Sequence, residues 1–399
     1  MDKHVKHNIF TLQGFYLFVF FGIGSLFPLL SVYLSEVENL NGYQIGIILS
    51  IGPVIMIFFQ PFWGMLADMK SSHNVLLTLT TLITGIAALG YLFFEGFSPF
   101  IIVATILAIF QSAIIPLSDS ISLKYTSKNG VNYGNVRLFG SLGFGLAVFI
   151  MGRLSEWNPQ VIFYAFFLTL LVSALFSMKM PRESSGRPSG LFAGMKDLMK
   201  MKKFLIFLGV TFMVFGPNLA NNFYFSLFVE DRGGTYTGIG IAFLIAVLSE
   251  IPFMRVAGSW ISKLGLLQVA FIAALVSLIR WIFYFTEPAL SLVYASAVIQ
   301  GFSLGLFIPA GLQYIRDITP LNITATAVTI YSAVGNGLGN WFFTFFGGII
   351  FEEFSIYGVY IFFAALTLVG VLLTAWLLQD DKKSASALVS PDKRWRADR

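Results

Sequence analysis

The stretch "YGNVRLFGSLGFGLAVFIMG", residues 133–152, is long, apolar and rich in glycine. A helix of roughly 20 residues is enough to cross about 30 Å of hydrocarbon. Arg137 nevertheless lies near the start of this run, where a charged side chain is costly in lipid. Both the apolar length and the charge within it require a physical reason.

The composition is that of a membrane protein. Of the 399 residues, 57% are hydrophobic and 11% charged, and mean hydropathy is +0.80, whereas an average soluble domain has about 25% charged residues. The chain has no cysteine and only three histidines, so we expect no metal and no cofactor. The net charge of +5 falls in loops between apolar runs, so we also expect no nucleic-acid partner.

Apolar runs of membrane-spanning length recur along the whole chain. Only helices suit so many such runs, because membrane strands would show short alternating segments instead. We therefore predict an all-α membrane protein with twelve transmembrane helices. The predicted spans are 9–34, 43–66, 75–94, 99–123, 136–156, 160–179, 204–229, 238–261, 266–285, 289–315, 322–350 and 356–378.

Lysine and arginine are concentrated in one set of connections. The opposite set carries Arg153 and Arg232 as its only basic residues, together with most of the glutamates. Because cytoplasmic loops carry the excess of basic residues, we predict that both termini are cytoplasmic and that the protein lies in the plasma membrane. The predicted cytoplasmic loops are 67–74, 124–135, 180–203, 262–265 and 316–321.

One long polar interruption divides the predicted spans into six and six. We assign 1–179 to an N-terminal bundle, 180–203 to a cytoplasmic linker, 204–378 to a C-terminal bundle and 379–399 to a basic cytoplasmic tail. The linker sequence "GLFAGMKDLMKMKK" alternates apolar and lysine residues, which suits a short amphipathic helix on the inner leaflet.

The two bundles resemble each other at a fixed spacing. Gly64 and Gly258, near the ends of the second and eighth spans, are 194 residues apart, as are Gly143 and Gly337. Two similar bundles around a site at mid-membrane are typical of alternating-access carriers.

The sequence "QPFWGMLADMK", residues 60–70, resembles the signature that the major facilitator superfamily carries between its second and third helices. The resemblance to this superfamily covers nearly the whole chain and implies two pseudo-symmetric six-helix bundles. It also implies a gating role for Gly64, which would allow close packing, and for Asp68 and Lys70. After Lys70 the sequence departs from the usual glycine and basic pair.

Within the superfamily, "PLSDSISLKY" and "YGNVRLFGSLGFG" are similar to the branch that contains the lactose permease, nucleoside symporters and phenylpropionate permeases. In that permease an acid on helix four and an arginine on helix five bind the sugar, at the spacing of Asp119 and Arg137 here. The resemblance implies that Arg137 binds substrate and pairs with Asp119 in the empty site. The alternative is that Arg137 only reaches out to the cytoplasm from its helix end.

Further charges lie within the second bundle, and Glu250 falls near mid-membrane. Desolvation disfavours a charged carboxyl group there, so Glu250 could load and release a proton near neutral pH. Arg280 matches the helix-nine arginine of proton coupling in the lactose permease, and Asp119 is a further candidate. The permease's histidine and glutamate are replaced by Gln300 and Ser303. The alternative is a structural ion pair of Glu250 with Arg280 or Arg255.

Several uncharged amides also fall within predicted spans and suit a hydroxylated or heterocyclic ligand, although amides in membranes commonly join helices instead. The candidates for substrate binding are Asn218, Asn222, Gln300, Gln313 and Asn336.

These observations predict a transporter and not an enzyme. Neither a phosphate-binding loop of an ATP-driven pump nor a recognisable catalytic cluster is present in the sequence. We expect a monomer that takes up a small polar solute, such as a sugar or nucleoside, together with a proton. Uptake of an aromatic carboxylate and drug/proton antiport remain the alternatives.

Overall fold

The computed structural model describes residues 3–70, 73–181, 195–320 and 323–389, apart from the side chains of 68–70, 325 and 382–389. Long helices make up almost all of this. In the first half they are α1 (Lys3–Val32, continued by a π-helical segment, Tyr33–Val37), α2 (Gly42–Lys70), α3 (His73–Ala88, followed by a short helix, Gly90–Phe93), α4 (Phe97–Lys128), α5 (Tyr133–Ser155) and α6 (Val161–Met178).

The second half repeats this succession. Its elements are α7 (Lys202–Asp231), α8 (Tyr236–Leu264), α9 (Leu266–Phe285), α10 (Leu290–Ile318), α11 (Thr324–Ser332), a π-helical segment (Ala333–Gly339), α12 (Asn340–Glu353) and α13 (Ile356–Val389).

Eleven helices in the described residues are long and apolar enough to cross a membrane. The predicted span at 322–350 is not among them, although residues 324–353 are helical almost throughout. A π-helical segment with the sequence "AVGNGLG" interrupts this stretch, and its glycines and asparagine lower the apolar content of the helix. π-helical turns commonly occur at functional sites, where they let a helix widen locally.

The start of α5 is fixed by the residues that precede it. Gly130 has a positive φ of 63°, a backbone conformation that glycine adopts without steric cost. The Asn132 side chain then accepts a hydrogen bond from the Gly134 amide at 2.8 Å and caps the helix. The turn at Gly130 and the cap at Asn132 start α5 at Tyr133 and place Arg137 one turn inside it.

Equivalent helices pack in the same way in the two halves. Helix α1 packs on α5 and α6, α2 on α4, and α3 on α4 and α6. In the second half α7 packs on α12 and α13, α8 on α10, and α9 on α10 and α13. The halves meet along two equivalent seams, where α2 packs on α12 and α5 on α8, and α1 also packs on α7 of the other half.

The halves are joined at one end, which we call the closed end. There the Gly42 amide donates to Glu352 at 2.8 Å, the Thr237 amide donates to Glu156 at 2.8 Å, and the Tyr236 hydroxyl donates to Glu36 at 2.7 Å. On the predicted orientation this end faces outward.

The opposite end is open. No residue from Val54 to Leu66 of α2 is buried, and Ala257 is the only buried residue from Val247 to Leu264 of α8. Apart from its own helix, a methyl group placed on Gly64 would meet no atom of the described residues within 4 Å, so the close packing predicted at this glycine is not present in this conformation. Helix α2 continues through Asp68 and Lys70, whose side chains lie outside the described part of the structure.

Two predicted boundaries need correction. The last helix does not end near 378 but continues to Val389, and the Lys203 ammonium contacts the Asp381 carboxylate of this extension at 2.5 Å. Of the predicted amphipathic helix in 180–203, the described residues show a single turn, Met195–Leu198, with Leu198 buried. Residues 182–194 lie outside the described part of the chain.

Candidate functional site

A cavity of about 190 Å³ lies between the two halves at the point where the open end meets the packed part of the bundle. Both halves contribute to its wall, through α1 and α5 on one side and α7, α8 and α10 on the other. Its lining residues are Phe20, Arg137, Ser141, Phe144, Asn222, Phe243, Ala246, Val247, Glu250, Gln300 and Leu304.

A larger cavity, about 430 Å³, lies elsewhere, at the start of α9 and the ends of α10 and α13. Helices of the second half alone form its wall. A site that serves both halves in turn must lie between them, so the smaller cavity is the candidate.

Arg137 lies in the wall of the candidate cavity and contacts aromatic rings. Its guanidinium carbon is 4.1 Å from the centre of the Phe20 ring and 5.6 Å from that of Tyr16. A cation over a ring face is attracted by the ring quadrupole, by about 2 kcal/mol or more when it is desolvated. The guanidinium is therefore held inside the wall, which argues against the alternative that Arg137 only reaches out to solvent.

Asp119 binds tyrosines and does not form the predicted ion pair with Arg137. Its Oδ1 accepts hydrogen bonds from the hydroxyls of Tyr16, at 2.5 Å, and Tyr133, at 2.7 Å. Among the described residues, no basic nitrogen lies within 4 Å of the Asp119 carboxylate. The Asp119 side chain is half-buried and does not line the cavity. The predicted pairing is thus wrong for this conformation.

Tyr133 was missed by the sequence analysis, although a signal was available. It precedes Arg137 by four residues on the same helix, and residues at that spacing share a helix face. Tyr16, in contrast, comes from α1, and only the packing of α1 on α5 brings it to Asp119. The two hydroxyls supply the donors that a carboxylate in a membrane requires.

Glu250 lines the opposite side of the same cavity, on α8. The alternative structural ion pair is absent, because no arginine of the described residues comes within 4 Å of this carboxylate. Arg255 lies further along α8 and is exposed. Glu250 and Arg137 are thus charges of opposite sign, from different halves, in one cavity.

Arg280 is completely buried within the second half. Its guanidinium donates to Asn218 Oδ1 at 2.8 Å and to Gln300 Oε1 at 3.1 Å, and it lies over the Trp281 ring at 4.2 Å. Within the described part of the chain no carboxylate lies within 4 Å of it, and its Nε has no hydrogen-bond partner. Removing an arginine from water costs several kcal/mol, so amides and rings compensate this charge only in part.

An amide network connects this buried charge to the cavity. Gln300 accepts from Arg280 and from Asn221, at 3.3 Å, and its own amide donates to Asn222 at 3.3 Å. The Tyr360 hydroxyl, also not anticipated from the sequence, donates to Asn221. Because Gln300 and Asn222 line the cavity, Arg280 fixes two side chains there without entering it.

Three predicted amides are not part of the cavity wall. Asn218 is 2% exposed and joins Arg280 to Ser277, so it holds helices together and does not face a ligand. Gln313 and Asn336 are exposed and are not among the lining residues. Among the described residues, no three His, Asp or Glu side chains come close enough together to hold a metal ion.

The model of the MFS_1 like family matches residues 9–362. The chain belongs to the major facilitator superfamily. It is therefore a multi-pass membrane transporter, as the resemblance of residues 60–70 predicted.

Two curated relatives and one solved structure are similar over most of this major facilitator chain. The transporter YwbF of Bacillus subtilis (strain 168), described as uncharacterized, is 50% identical over 96% of both chains. The maltose permease of Geobacillus stearothermophilus is 44% identical over 94% of this chain and 96% of its own. A mutant of the nucleoside transporter NupG has the same fold, with a TM-score of 0.82 and 17% identity over 92% of this chain and 98% of its own.

Proposed function

We propose that this transporter takes up a sugar, with a disaccharide such as maltose as the first candidate, together with a proton. The cavity between the halves carries this proposal, because it combines one cation, one carboxylate, two amides and aromatic rings. Sugar hydroxyls both donate and accept hydrogen bonds, and the apolar faces of a pyranose stack on rings. The 44% identity to a maltose permease supports the same substrate class.

In this proposal each lining residue has a defined role. Arg137 donates paired hydrogen bonds to sugar oxygens, while Gln300 and Asn222 bind further hydroxyls from the opposite wall. Phe20 and Phe144 provide the stacking surface. Glu250 carries the proton, because a carboxyl group in a cavity without a fixed cationic partner can exist in both protonation states. Asp119 and Arg280 act behind the wall, by positioning its residues.

Transport would follow alternating access, in which the halves 1–179 and 204–378 rock around the cavity. We infer twelve spans with 324–353 as the eleventh, both termini in the cytoplasm and a monomer in the plasma membrane. On this orientation the present conformation is open to the cytoplasm. Asp68 and Lys70 would act when that end closes, in agreement with the open space around Gly64.

Uptake into right-side-out vesicles tests the proposal. We expect labelled maltose to accumulate when an inward proton gradient is imposed, and to equilibrate without accumulation when the gradient is collapsed. Nucleosides and aromatic carboxylates belong in the same panel, because Arg137 and the rings could bind either. Accumulation of one of these in place of any sugar would overturn the substrate, and export of a labelled drug with no uptake would overturn the direction.

A further inference from the structure

The closed end contains two contacts of the same kind, one in each seam between the halves. In each, a glutamate at the end of the fifth spanning stretch of one half meets the first turn of the second helix of the other half. Glu156 follows α5 and accepts from the Thr237 amide of α8; Glu352, at the end of α12, accepts from the Gly42 amide of α2. Both distances are 2.8 Å.

Helix starts attract negative charge. The first amides of a helix have no partner within it, and the aligned peptide dipoles place positive potential there. A carboxylate that accepts from such an amide makes a charge-assisted hydrogen bond. Burial disfavours the charged form of Glu156, but hydrogen bonds from Thr237 and Thr235 and the charge of Arg153 outweigh it and lower the pKa of this carboxyl group. Glu156 therefore stays ionised at neutral pH.

The two contacts are related by the internal repeat. Gly46 of α2 and Gly240 of α8 are 194 residues apart, the spacing already found between the bundles. Each glycine touches a glycine of the opposite half: a methyl group on Gly46 would lie 2.7 Å from Gly348 Cα, and one on Gly152 would lie 3.1 Å from Gly240 Cα. Only glycine permits this approach. The close approach brings each helix start within reach of the glutamate that lies four residues beyond the partner glycine.

We propose that Glu156 and Glu352 are a pair of pseudo-symmetric latches that hold the halves together at the closed end. Each carboxylate binds a helix start that belongs to the other half, so both bonds must break when that end opens. The latches set the balance between the two open conformations and do not touch the solute. The latches would therefore act in the same way whichever solute is carried.

Thiol labelling tests the latches, because the chain contains no cysteine and one reporter can be introduced without background. Ser141→Cys is nearly isosteric and lies in the cavity wall. A membrane-impermeant maleimide is applied to right-side-out and to inverted vesicles. We expect Glu156→Ala and Glu352→Ala each to raise labelling from the closed side about threefold and the double variant about tenfold, while labelling from the open side falls.

Matched variants separate a latch from general damage. Glu353→Ala removes a neighbouring exposed acid and should leave both labelling rates unchanged. Glu156→Gln and Glu352→Gln keep an acceptor but lose the charge, so we expect intermediate rates. A rise on both sides would mean loosened packing and would contradict the proposal. A double variant that is labelled at the parent's rate from both sides would also contradict the proposal.

Discussion

The two walls of the cavity solve the same electrostatic problem in opposite ways. In the first half Asp119 does not line the cavity and is bound by two tyrosine hydroxyls, while Arg137 faces the cavity. In the second half Arg280 is buried among amides, while Glu250 faces the cavity. Each half thus keeps one charge inside and presents the opposite one, so that the cavity contains an arginine and a glutamate from different halves.

In this arrangement Arg137 and Glu250, the two charges that face the cavity, can be compensated only across the halves or by a solute or proton. Ion pairs within one half would be insensitive to rocking, because the helices of a half pack on one another and would move together. Arg137 and Glu250 lie on α5 and α8, which meet closely at Gly152 and Gly240 and separate towards the open end. Their separation must therefore change as the open end closes, and a solute or a proton that neutralises either charge changes the energy of closure.

Neutralising Glu250, the charge of the second half that faces the cavity, should have the largest effect on transport. We expect Glu250→Gln to abolish gradient-driven accumulation and to leave exchange of labelled for unlabelled sugar intact, because glutamine keeps the size and polarity of the side chain but cannot carry a proton. Accumulation and exchange are measured in the same vesicles, with Glu353→Gln as the control at an exposed acid. Undiminished accumulation would show that the proton is carried elsewhere.

Removing Arg280, the buried charge of the second half, should have the next largest effect on transport. Arg280→Met leaves Asn218 Oδ1 and Gln300 Oε1 without their charged donor and frees Gln300 and Asn222 to move. We expect KM to rise about 100-fold, the equivalent of ~2.7 kcal/mol, which lies within the range for one hydrogen bond to a charged group.

The thermal stability of Arg280→Met distinguishes positioning from structural support. An arginine buried without a carboxylate carries an uncompensated desolvation cost, so the melting temperature should stay level or rise. A large fall in melting temperature together with an unchanged KM would mean that Arg280 only holds α7, α9 and α10 together.

The fold could be read from the sequence more completely than the site. Lipid cannot satisfy backbone hydrogen bonds, so apolar runs must become helices, and their lengths were readable. The extension of α13 through "DDKKSASAL" was not readable, because this stretch is polar and Lys203 of another helix contacts it. The π-helical segment at Ala333–Gly339 was equally hidden, since its sequence gives no period of its own.

For the site, the sequence identified charged residues but not their partners. Spacing along the chain placed Asp119 and Arg137 on adjacent helices, but the rotation of each helix decides what its side chains face. Tyr16, 103 residues from Asp119, takes the hydrogen bond that the ion pair would have used. In the same way Arg280 binds amides and does not form the ion pair with Glu250 that was the structural alternative.

A smaller loss of sugar affinity is expected when Arg137, the charge of the first half that faces the cavity, is changed. In Arg137→Lys the positive charge remains, but the planar group that lies over Phe20 and can make paired hydrogen bonds is lost. We expect about a 20-fold weaker apparent affinity for sugar, measured from the concentration dependence of exchange. Arg153→Lys, exposed on the same helix, is the control and should behave like the parent. Equal affinities in all three proteins would show that Arg137 contributes charge alone.

The smallest effect should come from the hydroxyls that keep Asp119 away from Arg137. Tyr133→Phe keeps the ring but leaves Asp119 with the Tyr16 hydroxyl as its remaining donor. The less satisfied carboxylate should then attract Arg137 away from Phe20, so we expect about a fivefold weaker affinity, in the range of ~1 kcal/mol for a lost hydrogen bond. Tyr164→Phe, at an exposed tyrosine of α6, is the control.

In an Asp119→Asn background the carboxylate charge is gone, so Tyr133→Phe should have almost no further effect. If the effects of the two substitutions on sugar affinity simply add, the Tyr133 hydroxyl does not act through the Asp119 carboxylate. The tyrosines would then not be what keeps Asp119 apart from Arg137.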